Sequence, residues 1–320
     1  MAATDCNFTL AVHGGAGTIA RSTLTPEREI AYRAGLRRAL AAGHAVLVAG
    51  GKAIDAVTAA VMVLEDEPLF NAGRGAVYTS AGTQEMDAAV MNGQDHAAGA
   101  VAGIFGPRNP VLAARAVMEK TEHVFLLGSA AMDLCRAQGL TLEAPDYFFT
   151  QARWDALQAT LAMRAAGTLD QDESRKHGTV GAVARDVHGH LAAATSTGGM
   201  TAKAPGRVGD TPVIGAGTWA DDASCAVSGT GHGEVFIRFA AAQEISARMR
   251  LGGQSLGQAA SCVVMDLLAP NGGSGGVIAV DRDGRYCLPF NCAGMYRGVV
   301  TQDGLLRTAI HDEGLTDFEG

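Results

Sequence analysis

The chain has 320 residues, 48% of them apolar and 5% aromatic, enough to fill a core with Ala, Val, Leu and Ile, and short enough for one α/β unit. A net charge of −8 without a Lys/Arg cluster argues against nucleic acid and against anionic membrane surfaces as partners. The start, Met1-Ala2-Ala3-Thr4-Asp5-Cys6, lacks a signal-peptide pattern, and no apolar run is long enough to span a bilayer, so a cytoplasmic address is expected. Cys6, Cys135, Cys225, Cys262, Cys287 and Cys292 lack CxxC or His-spaced partners; free thiols are expected, with no zinc site or disulfide framework.

In chain order, the apolar run at 8–12 predicts a strand entering a glycine turn at His13-Gly14-Gly15-Ala16-Gly17. That turn has neither dinucleotide nor P-loop spacing and reads as packing. Thr25 caps a helix begun by Pro26, with Glu27 and Glu29 in its first turn, running toward Gly51. Ile54, Val57, Ala60, Val61 and Leu64 recur at helical spacing and predict a helix over 53–65, which Pro68 ends in a loop at 69–72. Paired strands are predicted at 75–79 and 86–91, then a strand at 98–104. Asn109 and Pro110 open a helix, and further helices are predicted at 128–137 and 152–165.

The segment 167–176 is charged, with little apolar surface to bury, which predicts a flexible linker suited to being cut. Beyond it, strands at 180–184 and 191–196 predict a hairpin, followed by a strand at 224–228 and helices at 234–249 and 256–268. A last hairpin over 277–280 and 286–290 turns at Asp283-Gly284. This order gives a mixed α/β chain, and two sheets between helix layers would account for it.

His177-Gly178-Thr179-Val180 places a threonine at the mouth of a buried strand, directly behind the linker. By itself the heptamer 177–183 reads as a glycine-flanked strand start with a structural threonine. Cleavage before Thr179 would change its chemistry: a mid-chain hydroxyl is a poor nucleophile, whereas an N-terminal threonine has a base in its own α-amine, of reference pKa about 7.7–8.0. Gly178 presents no side chain to obstruct attack on its carbonyl.

The heptamer, together with Thr195-Ser196-Thr197-Gly198-Gly199-Met200, Pro205-Gly206-Arg207-Val208-Gly209-Asp210 and Ser228-Gly229-Thr230-Gly231-His232-Gly233-Glu234, resembles the plant-type asparaginases. These are also called isoaspartyl peptidases and are N-terminal-nucleophile hydrolases. The resemblance extends to 13–17, to Pro68-Leu69-Phe70-Asn71-Ala72-Gly73 and to 86–91, leaving out the linker and about the last two dozen residues. It implies an α+β, four-layer αββα sandwich made as one domain from two halves, 1–178 and 179–320, separated by self-cleavage. The implied activity is hydrolysis of β-aspartyl dipeptides and of the side-chain amide of L-asparagine. Two rivals stay open here, a glycosylasparaginase-like hydrolase and a non-catalytic amino-acid-binding protein.

The resemblance makes Thr179 the nucleophile, with Thr197 and Thr230 beside it and an oxyanion hole at Thr230 and Gly231. Hairpin pairing would bring Thr197 close to Thr179, though a strand-end threonine before a Gly-Gly turn reads equally. Gly229 to Glu234 reads into a helix whose first N–H groups are unsatisfied and suit an oxyanion; a phosphate loop is the rival, without the acidic ribose partner. Arg207 and Asp210 would hold the carboxylate and ammonium of an amino-acid headgroup, with help from the Gly233 carbonyl, or else form a loop salt bridge. Asn71 matches an asparagine near the cleavage site. The carbonyls of Leu64, Glu65, Glu67, Phe70, Ala72 and Arg74 match a loop that holds a structural sodium ion in related enzymes; no organic cofactor is implied, and a homodimer of processed units is. His177 and His232 are the histidines nearest the chemistry and read as peripheral.

Overall fold

The computed structural model describes residues 8–17, 19, 21, 24–168 and 178–317; Cys6, most of the linker (169–176) and His177 lie outside the described residues. Strand β1 (Thr9–Gly17) leads to helix α1 (Pro26–Val48), where Thr25 Oγ1 accepts the Arg28 N–H at 3.4 Å. Leu36, Ala39, Leu40, Gly43 and Leu47 make the buried stripe of α1, and α2 (Ala53–Asp66) buries Val57, Ala60, Val61 and Leu64 against the same sheet face. Each such Leu or Val is worth about 1.5–3 kcal/mol when removed from water. Strands β2 (Met86–Asn92) and β3 (Ala98–Ile104) follow, then α3 (Pro110–Lys120), β4 (Phe125–Leu127), α4 (Gly128–Ala137), α5 (Pro145–Phe148) and α6 (Gln151–Ala165).

After the linker come β5 (Val180–Arg185), β6 (Leu191–Thr197), β7 (Thr218–Ala220), β8 (Cys225–Gly231), α7 (Gly233–Arg238), α8 (Ala241–Arg250) and α9 (Leu256–Ser261). The chain ends through β9 (Gly275–Asp281), β10 (Tyr286–Cys287), β11 (Gly294–Thr301) and β12 (Arg307–Ala309). One sheet has the order β12-β11-β1-β5-β6-β2-β3-β4, the other β10-β9-β8-β7. Ala11, Val183, Ala193, Ala226, Ile278 and Val299 form the layer between them. Helices α1 to α3 cover the outer face of the larger sheet and α8 and α9 that of the smaller, which makes the four-layer αββα sandwich. Small residues on the facing strands let the sheets approach closely: a Cβ on Gly181 would fall 2.0 Å from Ser228 Oγ.

Several local expectations are corrected. His13 to Gly17 is not a turn but the second half of β1, paired with β11 through a bulge between His13 and Gly15. Residues 75–79 do not pair with 86–91; a 3₁₀ turn (Gly73–Gly75) leads into extended chain whose Thr79 bridges Lys203. Asn109 precedes α3 without capping it: the Val111 N–H in the first turn is taken by Glu65 Oε1 at 2.9 Å, and the Asn109 amide donates to the Met62 carbonyl at 3.3 Å. The helix expected over 234–249 breaks at Ala240, with φ +46°, since the first N–H groups of α8 are taken by the carbonyls of Gly215 and Ala216. The one over 256–268 widens to a π-helix at Cys262–Leu268, where the Asn291 amide donates to the Val264 carbonyl at 2.9 Å. Strands β4, β7, β11 and β12 and helix α5 carried no expectation.

Cys135, Cys225, Cys262, Cys287 and Cys292 are free thiols. Among the described residues no helix is long and apolar enough to cross a membrane, and no three His, Cys, Asp or Glu side chains gather as metal ligands.

Candidate active site

Thr179 stands where β5 begins, almost wholly buried, and β6 pairs with β5 so that Val180 faces Ser196. The hairpin thereby sets Thr197 beside Thr179, whose Oγ1 donates to Thr197 Oγ1 at 3.2 Å. Thr197 Oγ1 donates in turn to the Gly178 carbonyl at 3.0 Å and accepts the Gly199 N–H at 2.9 Å. A second donor reaches the same carbonyl, Asn71 Nδ2 at 2.6 Å. The Asn71 amide is fixed in orientation, since Nδ2 also donates to the Gly199 carbonyl at 2.6 Å and Oδ1 accepts the Val77 N–H at 3.0 Å. A side chain at 178 would forbid this approach, because its Cβ would lie 2.8 Å from Asn71 Cβ. The Gly178–Thr179 amide thus has two hydrogen-bond donors on its oxygen and a threonine hydroxyl alongside. This is the geometry for attack at a carbonyl carbon whose developing oxyanion is already met.

Thr230 comes to the same place from the opposite sheet. It shares the inward face of β8 with Ser228, two residues back, and its Oγ1 accepts the Ala16 N–H at 3.1 Å. Gly15, next to Ala16, lies against the Gly178–Thr179 bond: with φ +111° it takes a conformation that suits glycine, and a Cβ there would sit 3.0 Å from Gly178 Cα and 3.3 Å from Thr179 N. The expectation that Thr230 and Gly231 open a helix is corrected. Both belong to β8, paired with Gly276 and Gly275, and the helix starts at Gly233 after the His232 N–H has bonded to Ser274.

The headgroup pair lies next to that helix. A Cβ on Gly233 would meet Asp210 Oδ1 at 2.8 Å and Arg207 NH2 at 3.0 Å, so guanidinium, carboxylate and the Gly233 backbone converge. Arg207 and Asp210 do not form the alternative loop salt bridge. Arg207 Nε and NH2 donate to the two Glu234 oxygens at 3.0 and 2.9 Å, which leaves the NH1 side of the fork to another carboxylate. Asp210 is buried, and its Oδ2 has no partner among the described residues. Burial raises its pKa to about 7, against the pull of its own backbone N–H and of Arg207. A buried carboxylate with one oxygen unpartnered, beside a half-used guanidinium, fits a zwitterion.

Two participants escaped the sequence reading. Glu234 is one; its carboxylate is held below its usual range, where the hydrogen bond and charge of Arg207 outweigh desolvation. His13 is the other, a closer neighbour of Thr179 than the expected His232; His177 lies outside the described residues. His13 is fully buried, its pKa is lowered to about 3 by desolvation, and the Thr179 backbone lies beside its ring. Neutral His13 begins a hydroxyl chain, with Nε2 to Ser228 Oγ at 2.9 Å and Ser228 Oγ to Thr195 Oγ1 at 2.7 Å. Thr218 Oγ1 closes it by donating to Thr195 at 2.7 Å. Its residues are far apart in sequence, so only the histidine before the glycines was a signal. His232 borders the site, with Nδ1 at 3.1 Å from the Gly272 carbonyl and Nε2 at 3.5 Å from Glu234 Oε2.

The loop from Leu64 to Arg74 packs single carbonyl oxygens closely against its glycines. A Cβ on Gly73 would fall 2.5 Å from Glu65 O, and one on Gly75 would fall 2.0 Å from Phe70 O. The Glu67 and Ala72 carbonyls each accept one backbone N–H, from Phe70 and Gly75, and keep a second lone pair. Neither charged side chain intrudes: Glu67 pairs with Arg38, and the Arg74 guanidinium lies 5.4 Å from the Tyr147 ring centre. An all-oxygen donor set of this kind fits a hard cation.

A family model described as asparaginase matches residues 6–310. The chain is 55% identical over 295 residues to the isoaspartyl peptidase of Salmonella typhimurium, across 90% of this chain and 93% of that protein. It is 52% identical to the isoaspartyl peptidase of Escherichia coli, covering 90% and 91% of the two chains. To the probable isoaspartyl peptidase/L-asparaginase 2 of Arabidopsis thaliana it is 39% identical, covering 95% and 98%.

Proposed function

The chain belongs to the asparaginase family of N-terminal-nucleophile hydrolases, and from that premise we propose that it cuts itself before Thr179 and then hydrolyses β-aspartyl dipeptides and L-asparagine to aspartate. The observation that carries this is the doubly hydrogen-bonded Gly178 carbonyl beside the Thr179 hydroxyl. Thr179 Oγ1 attacks that carbonyl while Asn71 and Thr197 hold the oxyanion, and the bond from Gly178 C to Thr179 N breaks as the hydroxyl proton passes to the nitrogen. Water hydrolyses the resulting ester to free the Gly178 carboxylate and the Thr179 hydroxyl. The freed amine is then the base. In turnover, Thr179 Oγ1 attacks the β-carbonyl of a substrate held by Arg207, Asp210 and the Gly233 carbonyl. Thr230 and Gly231 face the oxyanion, the amine hands its proton to the leaving nitrogen, and water releases aspartate.

The halves 1–178 and 179–320 are, on this reading, one domain in two chains. A sodium ion held by the loop carbonyls at 64–74 would fix the segment that carries Asn71. Pairing of processed units into a homodimer would cover the exposed apolar residues Val124, Phe125 and Leu127 at the sheet edge. The free thiols accord with a reducing cytoplasm.

A denaturing gel with N-terminal sequencing tests the reading: active protein should contain a fragment beginning Thr179-Val180-Gly181. Active protein consisting only of intact chain would overturn it. Asn71→Ala should slow appearance of that fragment about 10²–10³-fold, the usual cost of one oxyanion donor, in protein whose circular dichroism is unchanged. An unchanged time course would remove Asn71 from the cleavage machinery.

A further inference from the structure

A cavity of about 210 Å³ is bordered by Gly178 and Asn71, and neither Arg207 nor Asp210 lines it. Gly15, against Thr179 N, pairs across the sheet with Tyr296, whose ring stacks on Tyr32 at 4.1 Å between centroids. Beside them stand Arg28 from the first turn of α1 and Arg153 from α6. Arg153 is locked by its own donors, Nε to the Gly75 carbonyl at 2.8 Å and NH2 to the Leu69 carbonyl at 3.1 Å, so its NH1 side stays over. Among the described residues no carboxylate pairs with either arginine, and the two are close enough for Arg28 to help desolvation lower the Arg153 pKa. Two unneutralised guanidiniums facing one cavity favour an anion there.

The chemistry of the nucleophile says which anion. The Thr179 amine must reach the leaving nitrogen to protonate it, and before cleavage that amine is the nitrogen bonded to Gly178. The leaving half of a substrate therefore departs toward the space that Gly178 borders. Ammonia leaving asparagine needs nothing there, but the amino acid leaving a β-aspartyl dipeptide has a free α-carboxylate and a side chain. Resting on the hydrolase reading above, we infer that this cavity is the subsite for the leaving amino acid. Arg28 and Arg153 receive its α-carboxylate, while the stacked tyrosines and Leu69 offer its side chain an apolar wall.

The test compares kcat/KM for β-aspartyl-leucine and for its C-terminal amide, in processed wild type and in Arg28→Gln. Arg28 is exposed at the start of a long helix, so the variant should fold, and Arg153 stays in place to tie the loop. Wild type is expected to prefer the acid about 10–100-fold, the range for hydrogen bonds to a charged group, and Arg28→Gln to bring that ratio near one. Equal turnover of acid and amide by wild type would overturn the subsite alone, as would a ratio that Arg28→Gln leaves intact. Wild type idle on both and on L-asparagine would overturn the hydrolase reading itself, and the subsite with it.

Discussion

Replacing Thr179 by alanine is expected to leave one uncut chain of 320 residues and to lower hydrolysis of β-aspartyl-leucine about 10⁴-fold or more. The substitution removes the hydroxyl that donates to Thr197 at 3.2 Å, and because the bond behind it then stays closed, it also withholds the amine. Nucleophile and base are one residue, so both functions are lost together. Thr179→Ser separates chemistry from positioning: it keeps hydroxyl and amine but loses the methyl that restricts χ1, and should cut more slowly yet retain activity within about 10–100-fold. Gel time courses and turnover on the two variants, with thermal melts to confirm folding, decide the matter. An alanine variant that hydrolyses dipeptide at the wild-type rate would place the nucleophile elsewhere.

The hairpin that holds Thr179 was legible because its setting is local, whereas the part given to the threonine came with the family resemblance and not from the heptamer itself. Alternating small and β-branched residues on either side of Asp186 to His190 announce a hairpin, and hairpin pairing alone carries Thr197 to Thr179. Strand and helix periods gave a mixed α/β chain, and the four layers followed from the family resemblance, because periodicity does not say which sheet a strand joins. What stayed hidden depends on distance along the chain. Ala240 has nothing in its own side chain to break a helix; the break comes from Gly215 and Ala216 carbonyls that only the fold delivers. His13 looked like a turn residue until β11, beyond the recognised motifs, paired with β1 and extended it. Glu234 faces Arg207 across 27 positions, and Arg28 shares a cavity with Arg153 across two helices, arrangements that no periodicity encodes.

Asp210 should govern the acid side of the pH profile. In the free protein its pKa is about 7, because burial outweighs the help of its backbone N–H and Arg207. An ammonium binds well only to the ionised form, so headgroup capture fails as pH falls through about 7. The Thr179 amine, of reference pKa about 7.7–8.0, must also be unprotonated. Thus log kcat/KM should fall with a slope approaching about two below pH 7, whereas log kcat, which reports the loaded enzyme, should fall with a slope near one. Once the ammonium is bound, Asp210 has its counter-ion and drops out of that range. Asp210→Asn should return the kcat/KM slope to one and cost roughly 10²–10³-fold at neutral pH, as expected when one member of a buried charge pair is lost. The same residue sets a trade of stability against function. Its folded pKa lies above the reference value of 3.8, so its stabilising contribution is complete below that value and is lost as pH rises toward about 7. Asp210→Asn should therefore melt higher than wild type at pH 8 while turning over more slowly. If wild type shows slope one in both profiles and the variant melts no higher, Asp210 is not the unpaired carboxylate that waits for the substrate's ammonium.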